Sequence, residues 1–160
     1  MSEAWVVNAS PLILFSRINR LDLLERLSPT IVIPNAVLEE VRAGQAKDPT
    51  GAAALSWAER YYIADVELSA SIEHWDLGAG ESQVIAHSLG KSRWAVLDDR
   101  AARRCAASHR IPVIGSLGVV LRAKINRYID RAGPLVNDLI TAGMFLDDDF
   151  LARALKSVGE

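Results

Sequence analysis

At 160 residues, the chain is sized for one domain with a core that needs no disulfide staples. Hydrophobic residues make up 50% and charged ones 24%, with a net charge of −2; this is an ordinary globular balance that excludes a generally basic nucleic-acid binder but not local basic patches. The lone Cys105 rules out an internal disulfide and a thiolate zinc site and fits a reducing, cytoplasmic setting. Met1-Ser2-Glu3-Ala4 offers neither a basic leader nor a long apolar run, so no signal peptide and no membrane span are expected.

Residues 5–8 read as a first strand. Pro11 then opens a short helix with Ser10 as its cap, and Leu21, Leu23, Leu24 and Leu27 continue helically until Ser28-Pro29. Ile31-Val32-Ile33 is a β-branched strand closed by Pro34. Asn35 is placed to cap a helix that carries Val37, Leu38 and Val41 on one side and ends near Gly44. After a polar loop, Asp48-Pro49 starts another helix, running through Leu55 and Trp57 to about Arg60. Tyr61 to Leu68 is β-prone, and 69–80 reads as loop, broken by Gly78 and Gly80.

The second half repeats the alternation. A helix from Glu81 to Leu89 stops at Gly90, and a strand over 94–97 runs straight into a helix from Arg100 to Ser108. Residues 111–114 form the next strand, and Gly115-Ser116 leads into a helix through Ile125. Two more helical patterns follow, near 133–142 and 148–158, the second capped by Asp147. Strands alternating with helices indicate an α/β fold around a mostly parallel sheet. The strands are continuous apolar runs, as expected for a sheet buried on both faces.

In such a sheet, neighbouring strands end at a shared crevice, and ligands bind there. Asn8, Asp98 and Asp99 directly follow apolar strands and are predicted to meet at that edge. Asp99 has a second reading as the cap of the helix beginning at Arg100. Glu81 has Val84 and Ile85 at its i+3 and i+4 positions, so its charge lies close to an apolar stripe, where it needs a partner. Glu40 flanks the Val37/Val41 stripe, whereas Glu39 lies nearly opposite it and is assigned to solvent. Carboxylates converging on one crevice need cations or protons, and an oxygen-only set suits a hard ion such as Mg²⁺ or Mn²⁺. Hydrolysis of a phosphodiester is the matching chemistry. His74, His87 and His109 show no catalytic or metal-ligand spacing and are read as structural or surface residues. Gly78-Ala79-Gly80-Glu81 lacks the Lys and Ser/Thr of a phosphate loop. Arg100, Arg103 and Arg104 form one basic run, and Arg122, Lys124, Arg127 and Arg131 a second.

Five motifs in order carry a family resemblance: Val7-Asn8-Ala9-Ser10-Pro11, Ile33-Pro34 leading to Glu40-Val41, Leu77-Gly78-Ala79-Gly80-Glu81, Leu97-Asp98-Asp99-Arg100, and Ile114-Gly115-Ser116. Together they resemble the PIN domains, in a prokaryotic branch related to the VapC toxins. The resemblance implies a three-layer α/β/α ribonuclease spanning 1–160, with C-terminal helices over about 130–160 appended to the core. It implies a Mg²⁺ or Mn²⁺ site at Asn8, Glu40, Glu81, Asp98 and Asp99, with catalytic roles for Glu40, Glu81 and Asp98 and support from Ser10 and Ser116. Arg100, Arg103 and Arg104 are the candidate RNA contacts, and a homodimer and a cognate antitoxin are the implied partners. Asn8 departs from the pattern, because PIN nucleases usually carry Asp there. A neutral amide weakens the site, which leaves a catalytically weak or inactive RNA- or protein-binding module as the alternative.

Overall fold

The computed structural model describes residues 3–160. Its first half runs β1 (Ala4–Val7), α1 (Ala9–Arg17), α2 (Asp22–Leu27), β2 (Thr30–Pro34), α3 (Asn35–Gly44), α4 (Gly51–Glu59) and the two-residue strand β3 (Tyr62–Ile63). Then come α5 (Ala70–Glu73), α6 (Ala79–Ser88), β4 (Arg93–Val96), α7 (Arg100–Ser108), β5 (Val113–Ile114), α8 (Ser116–Ile125), α9 (Ala132–Thr141) and α10 (Asp148–Ser157). The sheet order is β3-β2-β1-β4-β5, and every pairing is parallel, as the alternation predicts; with helices on both faces this is the α/β/α sandwich that the family resemblance implies. Val6, Val7, Ile33, Val96 and Leu97 are fully buried because helices cover both faces. From β1 the chain builds outward one way to β3; it then crosses back and builds the other way through β4 and β5. The β1/β4 boundary is therefore the switch point, where the flanking connections diverge and leave a crevice.

Two strands are shorter than the sequence reading: only Tyr62–Ile63 of the β-prone 61–68 stretch and Val113–Ile114 of 111–114 pair in the sheet, and the other differences lie mainly at helix starts. Helix α1 begins at Ala9, with Asn8 as a cap residue whose side chain makes no capping bond, so Ser10 is inside the first turn. Pro11 is tolerated there because first-turn N–H groups have no partner in the helix. Asn35 is likewise the first residue of α3 and not its cap; the Ala36 N–H is met from across the chain by Asp65 Oδ1 at 2.9 Å. Helix α4 starts after Asp48-Pro49, since Asp48 turns its carboxylate onto the N–H and hydroxyl of Thr50. The stretch 69–80 holds α5 and the first turn of α6, so its glycines open a helix. By contrast α7 spans Arg100–Ser108 as read, and Gly90 takes the left-handed φ of +66° just past α6.

The amino edge of the sheet is closed by a settled charge. Glu3 Oε2 accepts from Trp5 Nε1 at 3.1 Å and Arg122 Nη1 at 2.6 Å, while the Arg122 guanidinium lies 4.8 Å over the Trp94 ring. Burial pushes the Glu3 carboxyl up, but the bonds from Arg122 and Trp5 outweigh it and the net shift is downward. At the other end of the chain, Leu135, Val136 and Leu139 of α9 are buried in the shared core, whereas α10 buries no residue fully. No described helix is long and apolar enough to cross a membrane.

Candidate active site at the carboxyl edge of the sheet

Asn8 stands where β1 passes into α1, only 3% exposed, its N–H held by Val96 O at 3.1 Å. That bond ties the ends of β1 and β4 together and fixes the amide in the crevice. Among the described residues, Asn8 Oδ1 is the one buried side-chain oxygen or nitrogen with no hydrogen-bond partner. Leaving such an acceptor dry costs about 1–3 kcal/mol, so the atom calls for a cation or a water.

Glu40 reaches the same place from α3. Its Oε1 accepts the Gly80 N–H at 3.3 Å, although the residue is otherwise exposed. A β-carbon on Gly80 would lie 2.6 Å from Glu40 Oε1 and 3.2 Å from Asn8 Oδ1. The missing side chain at Gly80 thus creates the hollow in which an amide oxygen and a carboxylate oxygen converge. Glu39, one residue earlier, pairs with Arg42 on the solvent side, as its helical position required.

Glu81 curls back over the start of α6, its Oε2 only 2.5 Å from where a Gly78 β-carbon would be. Its carboxyl is raised above the ordinary range by burial first, then by the negative charges of Glu40 and Asp99; its own N–H and that of Gly78 pull it back part of the way. Asp98, at the end of β4, is fixed by Ser116: the Ser116 N–H reaches Oδ1 at 2.7 Å and its hydroxyl reaches Oδ2 at 2.6 Å. Each carboxylate oxygen keeps a second lone pair. Asp99 performs the cap role, its Oδ2 accepting from the Ala102 N–H at 2.9 Å, while it still lines the crevice.

Among the described residues, Glu40, Glu81, Asp98 and Asp99 form no ion pair within 4.0 Å. Nor do any three Asp, Glu, His or Cys side chains there already close into a cage for a metal. The acids flank an open groove of about 1630 Å³. Ser10 is exposed on its rim, and Ser116 is fully buried beneath Asp98. Arg100 and Arg104 are exposed along one wall without an ion pair among the described residues. Arg103 also borders the groove, but its Nη1 is committed to Leu97 O at 2.9 Å. In the second basic run, Arg122 is taken by Glu3, and Lys124 and Arg131 by Glu160.

Sequence reasoning missed the far wall of the groove, formed by Met144, Phe145, Phe150 and Arg153 from α10 and the segment before it. Phe145 is 95% exposed. A bare aromatic between two helices was the available signal. The histidines stay outside the groove: His87 is buried against Ala64 O, His109 bridges Ser71 and the Cys105 carbonyl, and His74 is exposed.

An all-parallel sandwich with oxygen donors gathered at its switch point defines an α/β protein whose candidate site lies at the carboxyl edge of its sheet. The chain belongs to the PIN-domain family, whose model matches residues 4–160, and its fold is therefore a nuclease fold. No curated protein matches the chain.

Proposed function

We propose that the protein is a divalent-metal-dependent endoribonuclease whose working residues are Asn8, Glu40, Glu81, Asp98 and Asp99. One observation carries this reading: Asn8 Oδ1, buried and without a hydrogen-bond partner among the described residues, faces the same Gly80 hollow as Glu40 Oε1, beside acids that make no ion pair within 4.0 Å there. The donors present fit Mg²⁺ or Mn²⁺, since all are oxygens and the hollow would be filled by a single β-carbon. Bound there, such an ion supplies Lewis acidity that activates water and offsets charge on a phosphodiester. Ser116 holds Asp98 in place, Glu40 and Asn8 present oxygens across the Gly80 hollow, and Glu81 adds the charge that is most costly without a counter-ion. Arg100 and Arg104 would meet backbone phosphates, which supply affinity more than sequence choice. The test is cleavage of a single-stranded RNA in Mn²⁺: wild type cuts and Asp98→Ala does not, whereas equal cutting by both overturns the reading.

The same reading extends to biological context: a toxin in a toxin–antitoxin pair, cytoplasmic and homodimeric. The exposed Ile125, Ile140, Phe145 and Phe150 on and around the C-terminal helices are the apolar surface a second copy would cover. Sedimentation reports a dimer if so, and a monomer at micromolar concentration contradicts it. The neutral amide of Asn8 favours a second reading, a PIN-like module that binds RNA without cutting it. Under that reading, millimolar Mn²⁺ produces no binding heat and Asn8→Asp gains cleavage.

A further inference from the structure

The rungs between β4 and β5 stop where Ser116 opens α8. Ala95 N–H bonds to Pro112 O at 2.9 Å, and Leu97 N–H to Ile114 O at 3.0 Å. In a parallel ladder the next donor in line is the Ser116 N–H and the next acceptor is Leu97 O. These two do not meet. The Ser116 N–H goes to Asp98 Oδ1 at 2.7 Å, and Leu97 O accepts from Arg103 Nη1 at 2.9 Å. Side chains have replaced both halves of one rung. The exchange leaves no backbone group dry, and it turns the last rung of the sheet into a mount for the Asp98 carboxylate.

Gly115 makes room for the exchange. A β-carbon at this position would stand 2.7 Å from Arg103 Nη1 and 3.1 Å from Asp98 Oδ1. Its backbone, at φ −96° and ψ 176°, suits any residue, so close approach and not conformation is what requires glycine here.

We infer that Arg103 is a positioning residue for Asp98 and not a phosphate contact, with Gly115 admitting its guanidinium to the end of the ladder. Without the bond from Arg103, Leu97 O competes with Asp98 for the Ser116 N–H, the amide is held firmly by neither, and Asp98 loses its seat. The guanidinium is too far from Asp98 for an ion pair within 4.0 Å, so it orders the carboxylate without occupying it. Arg100 and Arg104, on the same helix, have no such tether and face the groove.

The inference concerns the metal site proposed above and rests on that reading for its purpose, though not for its geometry. Amide exchange of metal-free wild type, Arg103→Ala and Gly115→Ala, each first shown folded by circular dichroism, reads the geometry. Both variants should lose protection at Ser116 by roughly three- to tenfold, the worth of one hydrogen bond. Unchanged Ser116 exchange in both overturns the inference, whatever the function. In the same proteins, Mn²⁺ affinity should fall about tenfold, as for outer-shell partners of a metal ligand; wild type that takes up no Mn²⁺ defeats the nuclease reading instead. Binding of an oligo-uridine without metal then separates the arginines. Arg100→Ala and Arg104→Ala should each reduce the salt dependence by about 0.7, the value for one phosphate contact to a single strand, and Arg103→Ala should not. A loss of salt dependence in Arg103→Ala equal to theirs, with Mn²⁺ affinity intact, would make Arg103 an RNA contact and overturn the proposal.

Discussion

The two edges of the sheet handle charge in opposite ways. At the amino edge, Glu3 is bonded by Arg122 and Trp5, with the guanidinium stacked on Trp94, and its carboxyl sits below the ordinary range. At the carboxyl edge, Glu81 is pushed above that range by burial and by Glu40 and Asp99, and Asn8 Oδ1 has no hydrogen-bond partner among the described residues. The first arrangement is complete in itself and serves the fold. The second leaves a raised carboxyl and a buried acceptor uncompensated among the described residues, which is what the proposed cation site would account for.

The largest effect should come from the mounted carboxylate. Asp98→Asn keeps the shape and can still accept from Ser116, yet it removes the charge; RNA cleavage in Mn²⁺ should drop about 100-fold or more, the scale of losing one electrostatic contact in a site. Single-turnover assays would read this, and a drop of less than a few fold would merge the two edges into one structural class. Next comes the hollow. Gly80→Ala places a β-carbon against Glu40 Oε1 and Asn8 Oδ1, and calorimetry should show Mn²⁺ binding weakened on the order of tenfold. Asn8→Asp should act in the other direction, since an added ligand charge tightens a hard-ion site.

At the amino edge, Arg122→Met should cost about 1 kcal/mol in denaturant unfolding, the upper end of the range for surface pairs because both side chains are partly covered. Its Mn²⁺ affinity should match wild type, and a change there would show that the edges are coupled. The smallest effect is a gain. A carboxyl raised in the folded state opposes folding once ionised, so Glu81→Gln should melt higher than metal-free wild type at pH 7. That difference is full above the raised folded value and should vanish as the pH falls below the unfolded carboxyl value. Thermal melts across pH check the sign, and a lower melting temperature at pH 7 would mean that Glu81 is already satisfied.

Much of this contrast was legible in the sequence. The apolar runs ending at Asn8 and Asp98 located the two central strands and the crevice between them, because buried parallel strands announce themselves by composition. Helical spacing separated Glu40 from Glu39, and Asp99 was recognisable as a cap. Contacts between distant parts of the chain were not legible. Nothing near Asn35 shows that Asp65 would cap its helix, and no local pattern reveals that Arg103 would answer Leu97 O. Gly80 was read as a breaker and Gly115 as the lead into a helix, but at each the missing β-carbon lets side chains from distant parts of the chain approach closely. Phe145 and Arg153 were missed because α10 returns to the groove only through the tertiary fold.

Whether the carboxyl edge takes up a cation can be measured without any substrate, by titrating Mn²⁺ into the protein and following free ion by electron paramagnetic resonance. Saturable uptake in wild type, weakened in both Glu40→Gln and Asp98→Asn and unchanged in Arg122→Met, is the predicted result. Uptake that is absent at millimolar Mn²⁺, or equally strong in all four proteins, would contradict it.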